Sequence, residues 1–135
     1  MNRVLGAALT TAAVLGSSAS AMAQSTDQYF INDLYSFLDS QDQVAYTVAS
    51  QYLGADMNIY LAQSFCQAFR DGMSPSDAFS YFTTYSISEA TNRGYPVGDN
   101  EAYILGLYAG SVMNLGSAYY CPEYQGQVQQ ALNAL

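Results

Sequence analysis

Apolar side chains recur every three or four residues along most of this sequence, which is the period of an α-helix. The inward face of the first predicted helix is formed by Phe30, Leu34, Phe37 and Leu38. Ser25 or Thr26 can cap this helix, since both side chains accept hydrogen bonds from free backbone N–H groups. A second apolar pattern covers residues 43–53 and stops at Gly54. It is either a short helix or the continuation of the first.

The third and fourth predicted helices form a pair with a clear boundary. The apolar face of the third helix is formed by Ile59, Ala62, Cys66 and Phe69. Gly72 can end it in a left-handed cap, and Ser74 with Pro75 can open the next helix. Residues 81–88 are rich in β-prone side chains, so a strand competes there. We favour the helix because a single strand would have no partner to pair with.

The longest predicted helix follows a loop at residues 92–100 and is uncharged from residue 102 to residue 120. Asp99 or Asn100 can cap it. It contains one Asn, two Ser, three Gly and four Tyr residues and lacks basic flanks, which favours a buried helix over a transmembrane one. Gly106, Gly110 and Ser117 would allow a neighbouring helix to approach closely. Tyr124, Val128, Leu132 and Leu135 form the stripe of a last helix, which Pro122 can start. These elements predict an all-α, single-domain bundle of four or five helices.

The first 23 residues have the layout of a secretory signal peptide. Arg3 precedes an apolar stretch at residues 4–16, and the segment ends in the small-residue site Ala21-Met22-Ala23. The apolar stretch is shorter than the about 20 residues of a bilayer span, and no Cys follows the site as in a lipoprotein. We predict cleavage after Ala23, a mature helical domain over residues 24–135, and export to the periplasm or outside the cell.

Composition excludes several classes of chemistry. The chain has no histidine, so Ser-His-Asp triads, Cys-His pairs and histidine-ligated metal sites are impossible. Three arginines and no lysine stand against 11 acidic residues, which excludes the basic surface of a nucleic-acid-binding protein. The formal charge of −8 keeps such a chain soluble and can also favour a cationic partner. We predict no catalytic residue, no cofactor and no metal ligand.

The two cysteines, Cys66 and Cys121, predict one structural disulfide. An even number of cysteines in an exported chain indicates that they form disulfides, and two cysteines allow only one pairing. The chain-entropy model gives such a bond about 4 kcal/mol of stabilisation. A free catalytic thiol would have no histidine to activate it, and a zinc site would lack ligands.

Two short motifs resemble those of known families. Residues 66–74, with a Cys, a following Gly72 and the helix-opening Ser74, and a late Tyr120-Cys121-Pro122 resemble the small exported proteins of domain-of-unknown-function family 732. The resemblance covers about residues 27–124 and implies a compact helical fold, a Cys66–Cys121 bridge and export, with no known activity. Residues 103–132 are also similar to the end of periplasmic type VI secretion immunity proteins, which is our second choice.

The remaining candidate chemistry consists of carboxylates and tyrosines. Paired carboxylates could serve a glycosidase, and the glutamates available are Glu89, Glu101 and Glu123. An Asp99-Asn100-Glu101 calcium site is less favoured than a helix cap. The chain has 13 tyrosines. We expect Tyr52, Tyr85 and Tyr108 to fill the core, whereas the less obviously inward ones are Tyr29, Tyr35, Tyr95 and Tyr119. An exposed tyrosine cluster would mark a binding face.

The sequence therefore predicts an exported, non-enzymatic binding or structural module of the cell envelope. Its partner is an unknown protein or envelope component, with no nucleic acid and no membrane span in the mature chain. One alternative is an immunity-type inhibitor of a secreted toxin. Another is a small carboxylate-based hydrolase of envelope polymers, which would show two carboxylates facing each other across a cleft.

Overall fold

The chain folds into a helical bundle joined by short turns. The structure, a computed structural model, describes the backbone of residues 12–135 and the side chains of residues 26–135. Its α-helices are α1 (Ala12–Gln41), α2 (Gln43–Thr47), α3 (Ala55–Arg70), α4 (Pro75–Asn92), α5 (Asp99–Tyr120) and α6 (Gln125–Asn133). A π-helix (Val48–Leu53) follows α2, and a 3-10 turn (Pro122–Tyr124) precedes α6.

The predicted all-α fold class is confirmed. No strand occurs in residues 12–135, so the β-prone segment at residues 81–88 is helical as favoured. The described chain has six α-helices instead of four or five because residues 43–53 form elements of their own. Asp42 separates them from α1, since its side chain accepts hydrogen bonds from the N–H groups of Val44 and Ala45 and so caps a new helix.

Helix α1 differs from the prediction at its start and along one edge. It extends from Ala12 past the caps expected at Ser25 or Thr26, because the alanine-rich stretch before them favours helix. The first 11 residues of the predicted signal peptide lie outside the described part, as do the side chains of the rest. Phe37 is exposed, and Ile31 is buried in its place. At 100° per residue, Ile31 falls within the arc centred on Leu34 and Leu38, and Phe37 falls outside it.

Helix α5 lies at the centre of the bundle and packs against α1, α3, α4 and α6. Its fully buried side chains include Leu105, Tyr108, Val112 and Met113. It begins at Asp99, and its N-cap is Gly98, so the caps predicted at Asp99 or Asn100 were wrong by one or two residues. In the part of the chain that the structure describes, no helix combines the length and apolar character needed to cross a membrane.

The close approach of α3 to α5 occurs at Gly116, which the sequence analysis did not select. A Cβ at Gly116 would lie 2.8 Å from the Ala62 Cβ and 3.1 Å from its Cα. Gly106 has no neighbour within 4 Å, and Gly110 would make only ordinary contacts with α4 and α6 side chains. The sequence shows which residues of α5 are glycines. The facing helix determines at which of them a side chain would clash.

The final helix closes the bundle through apolar contacts on one side and polar contacts on the other. Val128 is fully buried, and Leu132 is partly buried, as predicted, but Leu135 is exposed because α6 ends at Asn133. On the polar side, Gln125 donates to the Asn114 side-chain oxygen at 3.0 Å. The turn at Pro122 therefore brings α6 back along α5.

A buried polar network fixes α3 against α5 and the π-helix. The Tyr108 hydroxyl donates to the Asn58 side-chain oxygen, and both side chains are fully buried. The Asn58 amide donates to the Ala49 carbonyl at 3.0 Å and to the Tyr35 hydroxyl at 3.2 Å. Burial raises the pKa of Tyr108 well above its ordinary value, so this hydroxyl keeps its proton.

Two tyrosine–aspartate pairs fasten the end of α5 to α1. Tyr119 donates to Asp33, and Tyr120 donates to Asp27. The hydrogen bond to Asp33, followed by burial, raises the pKa of Tyr119. Burial, followed by the hydrogen bond to Asp27, raises the pKa of Tyr120. Both hydroxyls therefore remain donors at neutral pH.

Candidate functional site

Helices α3 and α4 form an antiparallel pair whose connection was predicted correctly. Arg70 ends α3, and Gly72 reverses the chain with a φ of 98°, a conformation that favours glycine. The Ser74 hydroxyl then accepts from the Asp77 N–H at 3.1 Å, and Pro75 occupies the first helical position. The short turn places the two helices side by side.

A groove runs between these two helices on the surface. Its volume is about 370 Å³, and we call it the tyrosine groove. It is lined by Tyr60, Ser64, Gln67, Ala68, Asp71, Met73, Tyr81 and Phe82. From Tyr60 to Asp71 α3 rises about 16 Å, at about 1.5 Å per residue.

The groove exposes large side chains over an aromatic base. Tyr60 is 55% exposed, Tyr81 is 56% exposed and Met73 is 39% exposed. Beneath them Phe82 is buried against Phe65, with ring centroids 4.6 Å apart. The exposed rings thus stand on a packed layer that belongs to the core.

Neighbouring aromatic rings support the two exposed tyrosines. The Tyr81 ring lies 4.9 Å from that of Phe82, and the Tyr60 ring lies 6.5 Å from that of the half-buried Tyr85. Burial, followed by the nearby Glu89 carboxylate, raises the pKa of Tyr85. These ring contacts limit the side-chain freedom that a partner would have to remove on binding.

A second cleft meets the groove at Tyr60. This cleft has a volume of about 530 Å³ and lies at the start of α3, with Asp56 and Arg93 on its walls. Arg93 donates to the Leu53 carbonyl at 2.9 Å, so its guanidinium binds the open end of the π-helix. Arg93 is therefore already engaged in holding that segment.

The tyrosine groove has an acidic side chain and no basic one. In residues 26–135 the two arginines pair with glutamates, Arg70 with Glu123 at 3.6 Å and Arg93 with Glu89 at 3.5 Å. Asp71 accepts a hydrogen bond from Gln67 at 3.0 Å and makes no ion pair within that described range. Within those residues its negative charge is therefore not paired with a basic side chain.

Each of the three glutamates considered for catalysis interacts with a different partner in the fold. Glu89 and Glu123 pair with the arginines, and Glu101 accepts a hydrogen bond from the Gly98 N–H at 2.8 Å. Three clefts in the described part of the chain each have one carboxylate on their walls, contributed by Asp56, Asp71 and Asp27. None of these clefts presents the facing pair of carboxylates that a glycosidase uses.

The predicted disulfide is present and lies behind the groove. Cys66 on α3 is bonded to Cys121 directly after α5, and their Cα atoms lie 5.7 Å apart. Arg70 donates to the neighbouring Tyr120 carbonyl at 3.1 Å. The wall of the groove that α3 provides is thus covalently attached to the central helix.

The tyrosines described as less obviously inward are mostly engaged with other side chains. Tyr29 is exposed, but Tyr35 contacts Asn58, Tyr95 packs on Tyr52 at 5.1 Å, and Tyr119 donates to α1. Of the tyrosines expected in the core, Tyr108 is fully buried, and Tyr52 and Tyr85 are half-buried.

The exposed pair in the groove, Tyr60 and Tyr81, was missed by the sequence analysis. The available signal was their position outside the apolar stripes, since at 100° per residue Tyr60 lies opposite Phe69 and about 120° from Cys66 on α3. Large aromatic residues at such positions are candidates for a binding face.

No family model, curated protein or solved structure matches this chain at a significant level. The resemblances to family 732 and to the immunity proteins therefore stay predictions.

Proposed function

We propose that this protein is an exported, non-enzymatic binding module and that it binds a segment of a partner protein in the tyrosine groove. The observation that carries this proposal is the pair Tyr60 and Tyr81, each more than half exposed on opposite walls of one groove. Tyrosines are enriched in protein interfaces because they combine a large apolar area with a polar tip.

The dimensions of the groove favour an extended peptide segment. A length of about 16 Å accommodates about five residues of extended chain, at about 3.3 Å per residue. The packed aromatic base and the exposed Met73 provide apolar contact, and Gln67 and Ser64 provide polar contact. A short segment of another protein has this mixture of groups.

The disulfide supports export as the setting of this function. Structural disulfides persist in oxidising compartments and are rare in the cytosol. The predicted signal peptide at residues 1–23 leads to the same compartment. The partner is therefore a protein of the cell envelope or of the exterior.

A capture experiment with matched variants tests the proposed site. Immobilised wild-type protein is compared with Tyr60→Ser/Tyr81→Ser and with the control Tyr29→Ser/Tyr103→Ser, which changes two exposed tyrosines elsewhere. We expect one stoichiometric protein from an envelope extract with the wild type and the control, and its loss with the groove variant. Equal recovery with all three proteins contradicts the site.

An immunity-type inhibitor is a second candidate, and the unpaired Asp71 favours it because an inhibitor must hold its toxin through specific charges and contacts. In that case the captured protein is toxic to cells that lack this chain, and the groove variant no longer protects them.

The hydrolase alternative has a separate test. Peptidoglycan turnover by the purified protein that is lost on Glu→Gln exchange contradicts the binding proposal. The separate engagement of Glu89, Glu101 and Glu123 is the reason that we do not choose it.

A further inference from the structure

We infer that the tyrosine groove selects a basic segment and that an arginine side chain of the partner lies against Tyr81 with its guanidinium directed to Asp71, while a neighbouring residue of the segment covers Tyr60. This inference rests on the proposed function and names the chemistry of its ligand. It follows from the charges and the aromatic rings on the groove walls.

The local charge calls for a cation. Asp71 is the one ionisable acid on the groove wall, no basic side chain lines the groove, and both arginines in residues 26–135 are paired with glutamates. A cationic ligand would give Asp71 its missing partner. An anionic ligand would add repulsion, because the whole chain has a formal charge of −8.

The aromatic walls favour arginine over lysine. A guanidinium is planar, stacks on aromatic faces and forms bidentate hydrogen bonds with carboxylates, whereas an ammonium acts as a compact, strongly hydrated charge. Tyr60 and Tyr81 offer exposed rings from α3 and α4, and Asp71 offers a carboxylate in the same groove. Because Tyr60 and Asp71 lie about 16 Å apart along α3, one arginine can use Asp71 and the Tyr81 ring of the facing wall, and a neighbouring residue of the segment covers Tyr60.

The apolar part of the groove sets the neighbours of that arginine. Met73, Ala68 and Phe82 line the groove together with the tyrosines. An apolar residue beside the arginine would cover these side chains. The inferred ligand is therefore an extended segment of about five residues in which arginine and apolar residues alternate.

Synthetic peptides test this inference directly. The probe is an end-capped pentapeptide of alternating leucine and arginine, and its matched control has citrulline in place of arginine, which keeps the shape and loses the charge. Titration calorimetry with the full, oxidised protein should give binding to the arginine peptide that is about tenfold or more tighter than to the citrulline peptide. The lysine version should fall between them.

Two protein variants separate a local contact from general attraction. Asp71→Asn should weaken the arginine peptide about tenfold. Asp39→Asn removes the same charge from an exposed aspartate that is likewise bonded to a glutamine, Gln43, on the surface of α1. It should leave the affinity nearly unchanged. Equal loss in both variants, or equal binding of the arginine and citrulline peptides, overturns the inference.

The outcomes distinguish the ligand chemistry from the proposed function. If the protein captured from the envelope depends on Tyr60 and Tyr81 but its binding is the same in Asp71→Asn, the inference is wrong and the binding function stands. If neither the peptide nor the captured protein depends on the two tyrosines, both are wrong.

Discussion

The Tyr108 hydroxyl donates a hydrogen bond to the side-chain oxygen of Asn58, and both side chains are completely buried between α5 and α3. The amide of Asn58 uses both of its donor directions, one on the Ala49 carbonyl and one on Tyr35. Because a buried polar group without a partner is costly, this asparagine holds three elements in a single arrangement.

Replacement of Asn58 by aspartate should make stability depend on pH in a defined direction. Burial raises the pKa of the introduced carboxyl above its unfolded value of about 3.9. The folded variant therefore binds the extra proton, and its stability deficit against the wild type grows as pH rises through that window. We expect a deficit of about 3 kcal/mol at neutral pH that shrinks towards acid.

Urea unfolding at several pH values measures this deficit. Asn58→Leu is the control, because it likewise removes the amide that donates to the Ala49 carbonyl and the Tyr35 hydroxyl but cannot titrate. Its deficit should be about 2–3 kcal/mol and flat with pH. A flat profile for the aspartate variant contradicts the prediction.

Two glycines in α5 should respond in opposite ways to alanine. Gly116→Ala places a methyl group against Ala62 and forces α3 and α5 apart, which should cost about 1–3 kcal/mol of unfolding free energy. Gly106→Ala meets no atom within 4 Å and should stabilise the helix by about 0.5–1 kcal/mol. Thermal and urea unfolding measure both, and a neutral Gly116→Ala would contradict the close helix contact.

Loss of the Cys66–Cys121 bond should lower the free energy of unfolding by about 4 kcal/mol. The bond joins residues 55 positions apart, and opening such a loop returns conformational entropy to the unfolded chain. Cys66→Ala/Cys121→Ala is compared with the wild type in urea, with and without reductant. Mass spectrometry of unreduced protein should find no alkylatable thiol, and two such thiols would contradict the bond.

Removing the Tyr120 hydroxyl should destabilise the protein at neutral pH but less so at alkaline pH. The pKa of Tyr120 is raised above 10.0, so the folded state keeps a proton that the unfolded state releases, and its contribution falls as pH rises past 10.0. Tyr120→Phe should cost about 1 kcal/mol at neutral pH, since this hydrogen bond is partly exposed. The control Tyr103→Phe, at an exposed site, should change the free energy of unfolding neither at neutral pH nor at alkaline pH.

The parts of the fold that follow from local sequence were predictable. Helical periodicity gave the all-α class, and the end of α3 at Gly72 with the opening of α4 at Ser74 and Pro75 depends on residues within one turn. The pairing of Cys66 with Cys121 required only the compartment argument and the count of cysteines.

The parts that depend on a facing helix were not predictable. Gly116 is required by Ala62, which is 54 positions away, and nothing near Gly116 distinguishes it from Gly106. The π-helix at Val48–Leu53 has no signal in its own residues, and its end is held by Arg93, the residue that follows α4. The exposure of Tyr60 and Tyr81 likewise depends on how α3 and α4 lie against each other, which no single helix reveals.

Six residues, about 1.7 turns, separate Tyr60 from Cys66 along α3. The sulfur bridge to Cys121 therefore restrains rotation of α3 about its own axis and, with it, the direction in which the Tyr60 ring points. The disulfide thus restrains the wall of the groove that carries Tyr60. In a chain with reduced cysteines, α3 would rotate more freely about its axis. The Tyr60 ring would then point in a wider range of directions.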